Sequence, residues 1–152
     1  MNDFHFQIIL PLRDDVRALV EQLNTHHLSH CSPEICHLTS AEQLAHSDCT
    51  MIGAFNGDHL CGIGAIKYMG TYGEITRMFV EEPFRRKGLA SRILDLLISH
   101  ARERKLRCVK LETSESFVSA VRLYGARGFV PCQPFGEYVH APFNSYMEKE
   151  LN

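Results

Sequence analysis

No apolar run in this chain approaches the roughly eighteen residues that would cross a bilayer as a helix. The opening M-N-D-F-H-F-Q-I-I-L-P has neither the basic segment nor the apolar core of an export signal, so the expected compartment is the cytoplasm. A dominant charge is missing too: sixteen Lys/Arg against eighteen Asp/Glu give a formal charge of −2. No global field therefore favours nucleic acid or an anionic membrane, and neither is expected as a partner. Repeats, low-complexity tracts and interdomain linkers are absent, so residues 1–152 read as one domain. The chain is long enough to bury a substantial core, and 45% hydrophobic with 22% charged residues is ordinary for a globular protein. Two familiar phosphate motifs fail on spacing: there is no G-x-x-x-x-G-K-[ST], and no G-x-G-x-x-G with an acidic residue some twenty positions on.

The six cysteines, at 31, 36, 49, 61, 108 and 132, form no small secreted disulfide framework and are expected as free thiols. Cys61 and Cys108 fall within expected strands and read as small core residues. His30-Cys31-Ser32-Pro33-Glu34-Ile35-Cys36-His37 places four candidate zinc ligands in eight residues. It contains no C-x-x-C and no H-x-x-x-H, so it reads as a loop and no metal is expected.

What is present centres on V-E-E-P-F-R-R-K-G-L-A-S, residues 80–91. A β-rich run over 74–80 precedes it, and Leu89, Ala90, Ile93, Leu94, Leu97, Ile98 and Ala101 follow at helical spacing. A strand therefore runs through a basic turn into a helix expected to begin with Arg85-Arg86-Lys87-Gly88-Leu89-Ala90. The unpaired N–H groups and positive dipole end of a helix start bind phosphate oxygens. Gly88 lets the backbone approach such a group, Ala90 keeps the next turn small, and three cations add attraction. The turn suits a pyrophosphate.

A second unit is a strand from Cys108, C-V-K-L-E-T, then a helix over 117–127 and Gly128-Phe129. Ala120, Leu123 and Tyr124 share one helical face, so Tyr124 points to the sheet side. Elsewhere, a strand is expected over 4–10 and a helix striped by Val16, Leu19, Val20 and Leu23. T-S-A-E from Thr39 to Glu42 offers a capping box for a short helix. Strands over 50–55 and 60–67 join through Asn56-Gly57-Asp58, a hairpin signal. Short strands are expected near 129–130 and over 145–151.

Arg85-x-x-Gly88-x-Ala90 resembles the [QR]-x-x-G-x-[GA] signature of the GCN5-related N-acetyltransferases, which grip the pyrophosphate of acetyl-coenzyme A. L-E-T-x-x-x-x-x-x-A-x-x-L-Y-x-x-x-G-F is similar to the family's second half, where the tyrosine protonates the departing thiolate. S-P-E-x-x-H (32–37), G-x-G-A-x-K (62–67) and the segment 134–149 look like the small bacterial YsnE-type members, over nearly the whole chain. Relatives usually carry Gly where this chain has Arg86, a change tolerable if Arg86 keeps a negative φ, and often Asp where it has Ala141.

The resemblance implies an α/β (α+β) fold: a mixed, mostly antiparallel sheet of about seven strands, flanked by about four helices. It implies acetyl-CoA as cosubstrate, a small-molecule primary amine as acceptor, and direct attack without a covalent enzyme intermediate. The strands over 74–80 and 108–113 would splay, with backbone groups of Met78 and Val80 pairing the pantetheine arm and Phe79 pointing the other way. Arg85, Arg86, Lys87, Gly88, Leu89, Ala90 and Ser91 would hold the pyrophosphate. Tyr124 would be the acid, and Glu74, opening its strand, the base. Glu34, His37 and Tyr138 would wall the acceptor side, and His37 has a suitable unperturbed pKa for a base. A peptide or protein acceptor, a non-catalytic acyl-CoA-binding regulator and a homodimeric state stay open.

Overall fold

A computed structural model describes residues 3–28, 40–114, 117–140 and 144–151. The elements follow the expected order: β1 (Phe4–Ile9), α1 (Asp14–Leu28), α2 (Ala41–Ala45), β2 (Cys49–Asn56), β3 (His59–Tyr68), β4 (Tyr72–Val80), α3 (Leu89–Glu103), β5 (Cys108–Thr113), α4 (Val118–Ala126), β6 (Val130–Pro131) and β7 (Ser145–Glu150). Single 3-10 turns occupy Glu82–Phe84 and Gly136–His140. The strands form one sheet in the order β1-β2-β3-β4-β5-β7-β6. Every pairing is antiparallel except β4 with β5. This is the mixed α/β sheet expected from the sequence.

Apolar residues cover both faces of that sheet. The stripe Leu89, Ile93, Leu94, Leu97, Ile98 and Ala101 of α3 packs on Ile52, Ile66, Ile75, Val109 and Leu111. On the opposite face, Val16, Leu19 and Val20 of α1 and Leu44 of α2 pack on Ile9, Met51, Phe55, Ile63 and Ala65. Burying each large aliphatic side chain contributes about 1.5–3 kcal/mol, so the two layers fix the strands between them. Among the described residues no helix is long and apolar enough to cross a membrane.

Two features of β4 shape everything downstream. It pairs with β5 only from Tyr72–Cys108 to Ile75–Leu111, after which the strands part. Opposite β3 its register slips: Ile63 faces Phe79 but Ala65 faces Thr76, so Arg77 and Met78 together oppose Gly64. This bulge puts Arg77 at φ +55. Gly64 makes it possible, because a Cβ there would fall 2.5 Å from Met78 Sδ and 2.6 Å from Ile93.

Four expectations shift in detail. The N-cap of α2 is Ser40 with Gln43 closing its capping box, while the expected Thr39 lies outside the described residues: Ser40 Oγ accepts from Gln43 N at 3.1 Å, and Ser40 N donates to Gln43 Oε1 at 2.8 Å. A glutamine serves the third helical position as well as a glutamate. Helix α3 starts at Leu89, so Arg85, Arg86 and Lys87 belong to the turn before it. Cys61 is buried in the core, whereas Cys108 is half-buried on a face that α3 does not cover. Cys49, Cys61, Cys108 and Cys132 are free thiols. Cys31 and Cys36 lie outside the described residues. Finally, Arg86 has φ +64 rather than a negative φ, placing a non-glycine side chain in the left-handed region.

Candidate active site

Where β4 and β5 part, a cleft of about 760 Å³ opens along the rest of β4 to the start of α3 and is bordered by α4. At its α3 end the chain leaves β4 through Pro83, then takes left-handed conformations at Arg86 and Gly88. Gly88 caps α3 with φ +79, and a Cβ built there meets nothing within 4 Å. Glycine is thus needed for the backbone angle, and open space lies in front of it. Consecutive N–H groups at such a turn and at the first turn of α3 form a concave donor surface for an anion. Arg85, Arg86, Gly88, Leu89, Ala90 and Ser91 all line the cleft. Lys87 is exposed and does not. Arg85 Nε donates to the carbonyl of Val80 at 2.7 Å, and its guanidinium lies 5.5 Å from the ring centre of Phe79. The Val80 carbonyl therefore already accepts one side-chain hydrogen bond, from Arg85. Met78 and Val80 face the α3 layer and Phe79 the α1 layer, as strand alternation requires. These features suit a long, phosphate-ended cosubstrate: a donor-rich basic end, and beyond it a strand edge that β5 leaves uncovered.

Tyr124 enters from α4 with Ala120 and Leu123, and all three line the cleft. Its ring packs on Phe129, with centroids 5.7 Å apart, and it is buried. Burial pushes its phenol above the ordinary value of 10, so it stays protonated across the working range. Among the described residues no hydrogen bond is found from its hydroxyl, and the residue lines the cleft.

The other end of the cleft is assembled from side chains. Glu74 is the third residue of β4, not its opening one, and is buried. The Tyr138 hydroxyl donates to Glu74 Oε2 at 2.6 Å, and Lys67 Nζ lies 3.8 Å from Oε1. Tyr138 sits in the second 3-10 turn, fixed edge-on against Phe135 with centroids 5.3 Å apart. Burial, and next the Glu74 charge, push its phenol well above 10, so it remains a donor. Arg77 is equally buried, and its Nη1 donates to Asn24 Oδ1 of α1. Desolvation pulls its pKa down to about 10. Glu112, Asn144, Phe117 and His26 complete this end, the last two rings stacked with centroids 5.8 Å apart.

The structure thus brings together Glu74, Tyr124 and Tyr138, Met78 to Val80, and the turn from Arg85 to Ser91, with Lys87 aside. Glu34 and His37 lie outside the described residues. Arg77, Asn24, Glu112 and Asn144 escaped the sequence reading. Arg77 stands within the β-rich run 74–80, but nothing in its neighbours announces the bulge that aims it. Among the described residues no three His, Cys, Asp or Glu side chains are grouped to hold a metal ion.

Comparison with known proteins bears on this geometry. The model of the acetyltransferase (GNAT) family matches residues 15–129. The uncharacterised N-acetyltransferase YsnE of Bacillus subtilis is 37% identical over 122 residues, covering 78% of this chain and 81% of that protein. An IAA acetyltransferase of Azospirillum brasilense is 34% identical over 143 residues, covering 93% and 94%. The PaiA N-acetyltransferase of Thermoplasma acidophilum, solved in complex with coenzyme A, shares the fold with a TM-score of 0.76 at 16% identity, covering 98% of this chain and 99% of that one. A cleft between parting strands, ended by a glycine-capped basic turn, and sequence relatives over most of the chain lead to one assignment: the protein belongs to the acetyltransferase (GNAT) family and is an acetyl-CoA-dependent acyltransferase.

Proposed function

We propose that residues 1–152 act as one N-acetyltransferase domain that moves an acetyl group from acetyl-CoA to a primary amine of a small molecule, by direct attack in a ternary complex. The observation that carries this reading is that one cleft, opened where β4 leaves β5, is lined at once by the Gly88 turn, Tyr124 and Glu74. A cleft of about 760 Å³ that must also admit the cosubstrate's arm leaves room for a small acceptor.

Arg85, Arg86 and the N–H groups around Gly88 neutralise the pyrophosphate. The edge of β4 beyond Ile75, around Met78, offers backbone groups to the pantetheine arm. Acetyl-CoA supplies the thioester: its carbonyl carbon bonds to the amine nitrogen, and its sulfur leaves with the bonding pair. Glu74 takes the amine's proton, and Tyr138 holds that carboxylate in one orientation through the 2.6 Å bond. Tyr124 gives its proton to the sulfur, which a phenol above 10 can do because a thiol ionises near 8.5. Proton uptake at Glu74 and release at Tyr124 balance, with solvent resetting both.

The test is a screen of amines and lysine peptides for release of CoA thiol, beside calorimetry of acetyl-CoA binding. The expected result is amine-dependent thiol release that favours small amines. Tight acetyl-CoA binding without release for any amine or peptide would make the protein a regulator, and preference for peptides would make it a protein acetylase.

A further inference from the structure

Among the described residues only two charged side chains are buried, Glu74 and Arg77, and both line the cleft. The transfer chemistry uses Glu74 and leaves Arg77 without a task. Keeping a guanidinium there is costly on two counts. The charge is desolvated, and the backbone under it is held at φ +55, where a non-glycine residue is strained. The bulge opposite Gly64 sustains that strain and turns the side chain towards α1, where the Asn24 carboxamide accepts from Nη1 and fixes the guanidinium plane. Among the described residues Asn24 of α1 bonds it, and Glu112 of β5 and Tyr138 of the C-terminal 3-10 turn lie within electrostatic reach. Glu112 is itself held by Asn144 Nδ2 at 3.1 Å. Tyr138 bonds Glu74 and lies within electrostatic reach of Arg77, so carboxylate and guanidinium occupy the same end of the cleft.

We propose that Arg77 is a specificity-determining residue that binds a carboxylate of the acceptor, so that the substrates are amino acids or close amino carboxylates. The proposal rests on the transfer reading above. An acceptor with its amine at Glu74 then presents its acid group to a guanidinium of fixed plane, whose fork matches a planar carboxylate by two parallel bonds. The pyrophosphate does not need this cation, because Arg85 and Arg86 serve the opposite end.

The experiment compares the standard amino acids with the amines left by loss of their carboxyl groups, for example phenylalanine with phenethylamine, leucine with isoamylamine and tryptophan with tryptamine. Thiol release gives kcat and KM, and calorimetry on the CoA-saturated protein gives acceptor binding without turnover. The wild type should favour the acids in kcat/KM by about tenfold to a hundredfold. Arg77→Gly accepts the left-handed backbone and removes the guanidinium, and its acid-to-amine ratio should fall towards one, mostly through KM. Arg77→Asn, also suited to that conformation, repeats the test if the glycine variant does not fold, with CoA binding as the check on folding. The proposal is overturned if acids and amines react alike, if the ratio survives loss of Arg77, or if no amino acid binds the CoA complex. Arg77-dependent binding of acids that are never acetylated would instead sink the transfer reading and leave the carboxylate site standing.

Discussion

At the α3 end of the cleft one unbroken segment, residues 85–91, supplies the turn, the helix cap and the cations. At the other end Glu74 and Arg77 of β4 meet Asn24 of α1, Glu112 of β5 and Tyr138 of a 3-10 turn. The first end is a backbone device: its donors are N–H groups, and its requirement is a left-handed glycine. The second is a side-chain device, built by bringing four elements together. The first should therefore fail when its conformation is changed and tolerate altered charge. The second should fail when one functional group is exchanged, even with the fold intact.

The largest expected effect is at the side-chain end. Glu74→Gln keeps the shape and the bond from Tyr138 but removes the proposed proton acceptor, and turnover should drop by about 10²–10⁴-fold. Acetyl-CoA affinity measured by calorimetry should stay near the parental value. A matched loss of affinity would show that the two ends are not separable. Gly88→Val tests the backbone end. Nothing crowds its Cβ, so the harm comes from forcing a β-branched residue to φ +79 and from blocking an anion's approach. Acetyl-CoA affinity should fall about a hundredfold or more, as when several charge-assisted bonds are lost together. Unchanged affinity in a folded Gly88→Val protein would remove the phosphate role from this turn.

A smaller effect separates the two tyrosines from surface phenols. An unfolded chain ionises its tyrosines near 10, whereas burial keeps Tyr124 and Tyr138 protonated in the folded protein. Above pH 10 the unfolded state binds fewer protons, so stability falls as pH rises, by about 1.4 kcal/mol per unit for each such group. Denaturant unfolding at pH 9 and pH 11 should show this, and Tyr124→Phe should remove one share of the loss. An identical pH slope in the variant would mean that the Tyr124 phenol ionises normally. The smallest effect is at Arg86. Replacing it by Gly relieves a left-handed arginine and should raise stability by about 1 kcal/mol while weakening acetyl-CoA binding only severalfold. A destabilised Arg86→Gly protein would mean that the side chain is held by more than the backbone pays for.

The same contrast explains what could be read from the sequence. Residues 80–91 and the Leu-Tyr helix are local patterns, so the order of elements, the sheet and the glycine-ended basic turn are legible in the sequence. The exact start of α3 is not: Arg85 to Lys87 look helical by composition, and only the left-handed angle at Gly88 excludes them. Glu74 and Tyr138 stand out in the sequence through resemblance, but their hydrogen bond spans 64 positions and has no local signature. Arg77 was hidden because a bulge is decided by how β3 and β4 register, with Gly64 as its one trace in the partner strand.

The central claim is that proton donation to the leaving sulfur comes from Tyr124, placed where β4 and β5 part. The most direct measurement is single-turnover acetyl transfer by Tyr124→Phe, at saturating acetyl-CoA and with an amine that the wild type accepts. The ring and its packing on Phe129 are kept, and only the donor is lost. A rate lower by about tenfold to a thousandfold, with acetyl-CoA affinity little changed, is the predicted result. Transfer at the parental rate in a single turnover would contradict it and make Tyr124 a packing residue.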